Sequence, residues 1–267
     1  MIGAILGDMI GSPYEFDCGD KTKKFPLFSK NSTFTDDSVM TLAVGKAFLN
    51  APKDAADDQI LQLLTDSMRR FGRAYPNAGY GCRFRRWLRE PDCKAYRSYG
   101  NGSAMRVSSV AWIYDTMDSV RHAARLSAMV THNHPEGIKG AEATASAIFL
   151  ARTGHDKKEI REYIESQFSY DLSRTCDEIR PSYHHVETCM ETVPEAITAF
   201  LEGNSFENVI RTAVSLGGDC DTLGAIAGSI AEGFYGVPED LRHECYNRLP
   251  QQLLKVLKEL EIYIDCK

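Results

Sequence analysis

Several things are scarce in this 267-residue chain, and each scarcity excludes something. There is no CxxC pair among the eight cysteines, which run from Cys18 to Cys266, and no Cys/His set has the spacing of a structural zinc site. A domain this large has no need of disulfide staples, so the cysteines are expected as reduced thiols of a cytoplasmic protein. No apolar run reaches the length of a membrane span. The start, Met1 to Asp8, has no basic flank and its apolar run is broken by Asp8, so it does not resemble a signal peptide. Positive charge is also short: the formal net charge is -6, which argues against general nucleic-acid binding. Alternating apolar strands, Gly/Ser linkers and internal repeats are missing as well.

What is present has helical period. Met40, Ala43, Val44, Ala47 and Phe48 form one i, i+3, i+4 stripe, and Leu253, Val256, Leu257, Leu260 and Ile264 form another. Between them, 57–72, 103–130, 136–153, 156–168, 187–202, 205–215, 222–234 and 237–247 read as helices. Pro135, Pro238 and Pro250 open helices, and Gly154 closes one. The expectation is an all-α, single-domain orthogonal bundle of about ten helices spanning 1–267. Three stretches, 17–34, 74–101 and 170–186, are too polar or too rich in Gly and Pro for helix, and long irregular loops on a bundle usually cover a site.

Two acidic clusters carry the chemistry: Thr35-Asp36-Asp37 and Asp219-Cys220-Asp221-Thr222. Each pairs two carboxylates with a hydroxyl where a helix begins. Asp and Thr are common there simply as caps. Yet Gly217-Gly218 before the second cluster permits a turn that aims short side chains inward, and two such clusters make coincidental capping a weaker account. Four converging carboxylates need counter-charge, and two Mg²⁺ or Mn²⁺ ions supply it with oxygen ligands. Glu15, presented after a Gly-Ser-Pro break, is either a surface acid or a general base.

Other features are weaker. The loop Ser98-Tyr99-Gly100-Asn101-Gly102 runs into a helix and offers backbone N–H groups to phosphate. His132 and His134 form a HisxHis pair, better read as a capping loop than a metal site. The basic run Arg83, Arg85, Arg86, Arg89, Lys94 and Arg97 reads first as a solvated helix face, and second as a contact for an acidic partner or a nucleotide phosphate. Small residues at 224, 225, 227, 228 and 231 let another helix approach closely.

Together these pieces closely resemble the ADP-ribosylglycohydrolase family. The matching segments are 3–8, 11–15, Thr35-Asp36-Asp37-Ser38, 100–106, Thr131-His132 and 217–222, in an order and spacing that cover almost the whole chain. The resemblance implies an all-α fold around two Mg²⁺ or Mn²⁺ ions. It implies Thr35, Asp36 and Asp37 on one side of the metal pair and Asp219, Asp221 and Thr222 on the other. ADP-ribose would sit with its distal ribose diol at the metals, and Ser98, Tyr99, Gly100, Asn101 and His132 would line the ribose and diphosphate. Glu15, Asp36 and Asp219 would be catalytic. Ser38 stands where the family often has Thr, and keeps the hydroxyl. The expected activity is metal-dependent hydrolysis of an N- or O-glycosidic bond between ADP-ribose and a protein side chain or small molecule. The alternatives are a two-metal phosphohydrolase acting on the diphosphate, or a non-catalytic ADP-ribose binder of the lens-crystallin kind.

Overall fold

The computed structural model describes all 267 residues as fifteen α-helices and one 3-10 turn, with no strand. A lone antiparallel bridge joins Gly100 and Thr188. Seventy-two buried apolar residues form one contiguous cluster.

Its centre is the pairing of α1 (Ile2–Gly11) with α13 (Cys220–Tyr235). Gly3, Gly7 and Gly11 recur every four residues and face Gly228, Gly224 and the Cys220–Asp221 backbone in turn. A methyl group on Gly7 would sit 1.9 Å from the Gly224 carbonyl oxygen, and one on Gly224 would sit 2.5 Å from that of Gly7. The two backbones therefore touch, which only glycine allows. This contact brings the end of α1 beside the start of α13. The small residues of α13 do pack as expected, against α1.

The remaining helices wrap this pair. The alanine-rich α8 (Pro135–Arg152), α11 (Cys189–Glu202) and α12 (Phe206–Val214) pack on α13, and α2 (Asp36–Leu49) lies beside α1. Helix starts follow side-chain caps: Thr35 opens α2, and Asp156 with Glu159 forms a capping box at α9 (Lys157–Phe168). The chain closes with α14 (Glu239–Arg248) and α15 (Gln251–Asp265).

Three expectations need correction. The stretch 103–130 is not one helix but three: α5 (Gly102–Met105), α6 (Val110–Ile113) and α7 (Met117–Met129). Tyr114 is extended, and Thr116 starts α7 by accepting a hydrogen bond from the Ser119 N–H, so apolar period continued across a real break between α6 and α7. The supposed loop 74–101 contains α4 (Cys82–Arg89), which buries Phe84, Trp87 and Leu88 and turns its arginines outward. Segment 170–186 holds a single turn, α10 (Cys176–Ile179), stabilised by a Thr175–Glu178 capping box. The helix α3 (Asp57–Ala74) matches its expected span closely.

Candidate active site

Asp8 is the anchor of the site. It is the one acid in the fully buried α1, and its carboxylate receives four hydrogen bonds from the start of α2. The Thr35 N–H donates at 2.9 Å, the Thr35 hydroxyl at 2.8 Å and the Ser38 N–H at 3.1 Å, with the Ser38 hydroxyl as fourth donor. Burial nevertheless pushes its pKa up to about 6, against those four donors. Ser38 thus serves as a hydroxyl partner of Asp8.

The first acidic cluster follows directly. Asp36 and Asp37 begin α2 and line a cavity of about 470 Å³. Asp37 is almost wholly buried, and its Oδ2 has no partner. Burial, then the charge of Asp221, raises both carboxyls well above the usual range.

The second cluster reaches the same cavity from the opposite end of the chain. Gly217 and Gly218 take positive φ, 83° and 70°, and a methyl group on Gly218 would meet the His184 carbonyl oxygen at 2.6 Å. That turn delivers Asp219 and Asp221 into the cavity at the start of α13. Asp219 Oδ2 accepts from the Asn101 amide at 2.6 Å, and burial lifts its pKa to about 6. Asp221 is raised well above its ordinary value by burial and by Asp219. The two clusters meet where the Thr222 hydroxyl donates to Asp37 Oδ1 at 3.4 Å, across 185 residues of sequence.

Glu15 is half-buried at the cavity wall. Carboxylate oxygens of Glu15, Asp219 and Asp221 lie within 4.8 Å of one another, a spacing suited to a shared cation. Burial and then Asp221 push the Glu15 pKa to about 8. Phe16 and the irregular 17–34 segment that follows reach over this side: Asp17 accepts from the Gly218 N–H at 2.8 Å, and the Phe16 ring lies 4.7 Å from that of His185.

Of the residues expected against a ligand, Ser98, Gly100, Asn101 and His132 line the cavity. Tyr99 does not; it is exposed, with its ring against His134. Thr35 is likewise absent from the lining, its hydroxyl engaged with Asp8. The glycine loop has fewer free donors than expected, because the Gly100 and Asn101 N–H groups are taken by the Ser98 hydroxyl and the Glu187 carbonyl. His134 caps α8 by accepting from the Glu136 N–H, so the two histidines part company, as the capping reading of that loop anticipates. In the basic run, Arg83 reaches the cavity while Arg85, Arg86 and Arg89 stay on the solvated face. Asp8 and the lining residue Arg106 were missed. The signal for Asp8 was there, since a carboxylate inside an otherwise apolar helix demands partners.

Known proteins similar to this chain bear on this site. Human ADP-ribosylhydrolase ARH3 is 29% identical, over 92% of this chain and 87% of its own. The ADP-ribosylarginine hydrolase Tri1 of Pseudomonas putida (strain GB-1) is 25% identical, over 99% of this chain and 78% of its own. A solved ADP-ribosylglycohydrolase-related protein complex has the same fold, with a TM-score of 0.68 at 23% identity, covering 98% of this chain and 94% of that one. The sequence profile described as ADP-ribosylglycohydrolase matches residues 1–265. With an acidic cluster facing one cavity, the chain belongs to the ADP-ribosylglycohydrolase family and is an enzyme of that metal-dependent kind, hydrolysing glycosidic bonds of ADP-ribose.

Proposed function

We propose that residues 1–267 act as one domain whose cavity holds two Mg²⁺ or Mn²⁺ ions between Thr35, Asp36 and Asp37 on one side and Asp219, Asp221 and Thr222 on the other. The carrying observation is the 3.4 Å approach of Thr222 to Asp37, which joins clusters 185 residues apart. The donor set fits hard divalent ions. Every member offers oxygen, Asp37 Oδ2 is buried without a partner, and the cavity's buried Arg106 turns its Nη2 to the Ser127 carbonyl and Thr131 and makes no hydrogen bond to the acids. Bound there, the ions would supply counter-charge and Lewis-acid polarisation of a ribose diol.

The protein's own groups do the rest. Asn101 is fixed by donating to Asp219 and to Thr192, so the glycine loop and the acidic floor are held in register. Glu15 is the proton-relay carboxyl: with counter-charge beside it the group ionises, takes a proton from the attacking water and passes it to the departing acceptor. Asp36 and Asp219 stabilise positive charge that develops at the anomeric carbon as the leaving group departs. Ser98, Gly100, Asn101 and His132 line the wall on which the ribose and diphosphate would rest. We include Tyr99 as an exposed side chain at the rim, where a substrate's outer end could reach it.

The substrate is an ADP-ribosylated protein or small molecule. No helix is long and apolar enough to cross a membrane, and eight unpaired cysteines support a reducing, cytoplasmic setting. The net charge of -6 supports the absence of general nucleic-acid binding. The test is product analysis by mass after incubation with a panel of ADP-ribosyl conjugates, with Mg²⁺, Mn²⁺ or chelator. Intact ADP-ribose, formed only with a metal, supports the reading. AMP with ribose phosphate would assign a phosphohydrolase, and no turnover of any conjugate would leave a binding protein.

A further inference from the structure

His132 is buried in the cavity wall, and its ring proton inventory can be read from its neighbours. Its Nδ1 lies 2.7 Å from the Thr131 hydroxyl oxygen. That oxygen also receives a hydrogen bond from Arg106 Nη2 at 3.0 Å, while the same guanidinium nitrogen donates to the Ser127 carbonyl at 2.8 Å. Thr131 and Arg106 are both at or below 1% exposure, so water does not compete.

A guanidinium can only donate, and a threonine hydroxyl has one proton. With Arg106 occupying a lone pair of Thr131 Oγ1, the hydroxyl proton has one acceptor in reach, His132 Nδ1. Nδ1 is therefore bare, and the ring proton sits on Nε2. A protonated Nδ1 would leave the Thr131 proton without an acceptor in a dry site. A doubly protonated ring would add a charge beside Arg106 and Arg83, and burial with those two cations holds the His132 pKa well below its ordinary value.

The Nε2 edge has no partner within the protein. It faces Gly100 and Gly102: methyl groups on them would lie 3.5 Å and 3.1 Å from Nε2. Absent side chains at these two positions leave open the space in front of the donor.

We propose that Thr131 and Arg106 are positioning residues, which fix His132 as the neutral Nε2–H tautomer and aim that N–H at a substrate oxygen. The oxygen's identity, on a diphosphate or a ribose, rests on the ADP-ribose reading above; the tautomer does not. A neutral donor suits this place, because it binds an anionic oxygen without adding a third full charge to those of Arg106 and Arg83.

The test is long-range ¹H–¹⁵N NMR on histidine-labelled, full-length protein with Mg²⁺ at pH 7.5, with His132 assigned by its loss in His132→Gln. The expected signature is a bare Nδ1 and a protonated Nε2, unchanged in Thr131→Ser. Thr131→Val removes the only donor to Nδ1, so the ring should populate both tautomers, and KM for an ADP-ribosyl conjugate should rise about 3–10-fold with kcat nearly kept, the worth of one hydrogen bond. Gly102→Ala is the second variant should Thr131→Val misfold: it should raise KM while leaving the tautomer alone. A protonated Nδ1 or an imidazolium in the wild type overturns the tautomer claim, as does a full Nε2–H signal in a folded Thr131→Val. The expected wild-type signature with KM unmoved in the variants overturns the substrate-donor claim. If no conjugate is turned over at all, the ADP-ribose reading fails while the NMR result still decides the tautomer.

Discussion

The Thr222 hydroxyl donates to Asp37 Oδ1 at 3.4 Å, and this contact stitches the first helix-start cluster to the last. Asp37 Oδ2 beside it is buried and unpartnered. Removing the carboxylate in Asp37→Ala should lower turnover by about 10³-fold or more, the scale expected for losing a group that organises transition-state charge, with little loss of fold. Thr222→Val should weaken metal binding while Thr222→Ser restores it. Steady-state kinetics with calorimetric Mn²⁺ titration checks both.

Asp8 reaches no farther than α2, yet four donors depend on it. Asp8→Ala should therefore act on stability first, by about 2–3 kcal/mol, because two backbone N–H groups and two hydroxyls lose their common acceptor. Urea unfolding measures this, and an unchanged midpoint would contradict the anchoring role.

The α1–α13 contact makes a sharper demand. Gly7→Ala and Gly224→Ala place a methyl group against backbone that cannot move aside, so each should cost over about 3 kcal/mol or prevent folding. Gly81→Ala is the control. Its φ is -59° and nothing lies within 4 Å of the added carbon, so the change should stay within about 1 kcal/mol. Thermal melts of the three variants give the comparison.

Crowded carboxyls set a pH dependence whose sign follows from their shifts. Asp8 and Asp219 are raised to about 6 and Glu15 to about 8, all above the values near 4 of an unfolded chain. Their contribution to stability is full below about pH 4 and is lost as pH climbs through 6 and then 8. Chelated protein should therefore lose Tm between pH 5 and 8. Added Mg²⁺ or Mn²⁺ should raise Tm more at pH 8 than at pH 5.5. Equal metal-induced shifts at both values would contradict the electrostatic account.

Much of this site was legible in the sequence because its residues are contiguous. Asp36-Asp37 and Asp219-Cys220-Asp221-Thr222 sit at helix starts, where neighbouring side chains can point the same way, and the family resemblance follows from them. Asp8 was harder to see, since its importance lies in partners 27 and 30 residues away. The second break inside 103–130 was hidden because apolar residues keep helical spacing across Tyr114, while the break itself is made by a local cap at Thr116. Helix α4 was obscured by the glycines and prolines on either side of it, although Phe84, Trp87 and Leu88 carry the buried stripe. Tyr99 shares a loop with Gly100 and Asn101 but turns outward, and adjacency in sequence does not settle which face of a loop a side chain takes.

Anomalous diffraction at the manganese edge, from crystals grown with Mn²⁺, tests the central claim most directly. The account predicts two peaks about 3.5–4 Å apart, enclosed by Asp36, Asp37, Asp219 and Asp221. Peaks elsewhere, or none at saturating Mn²⁺ in crystals of active enzyme, would contradict it.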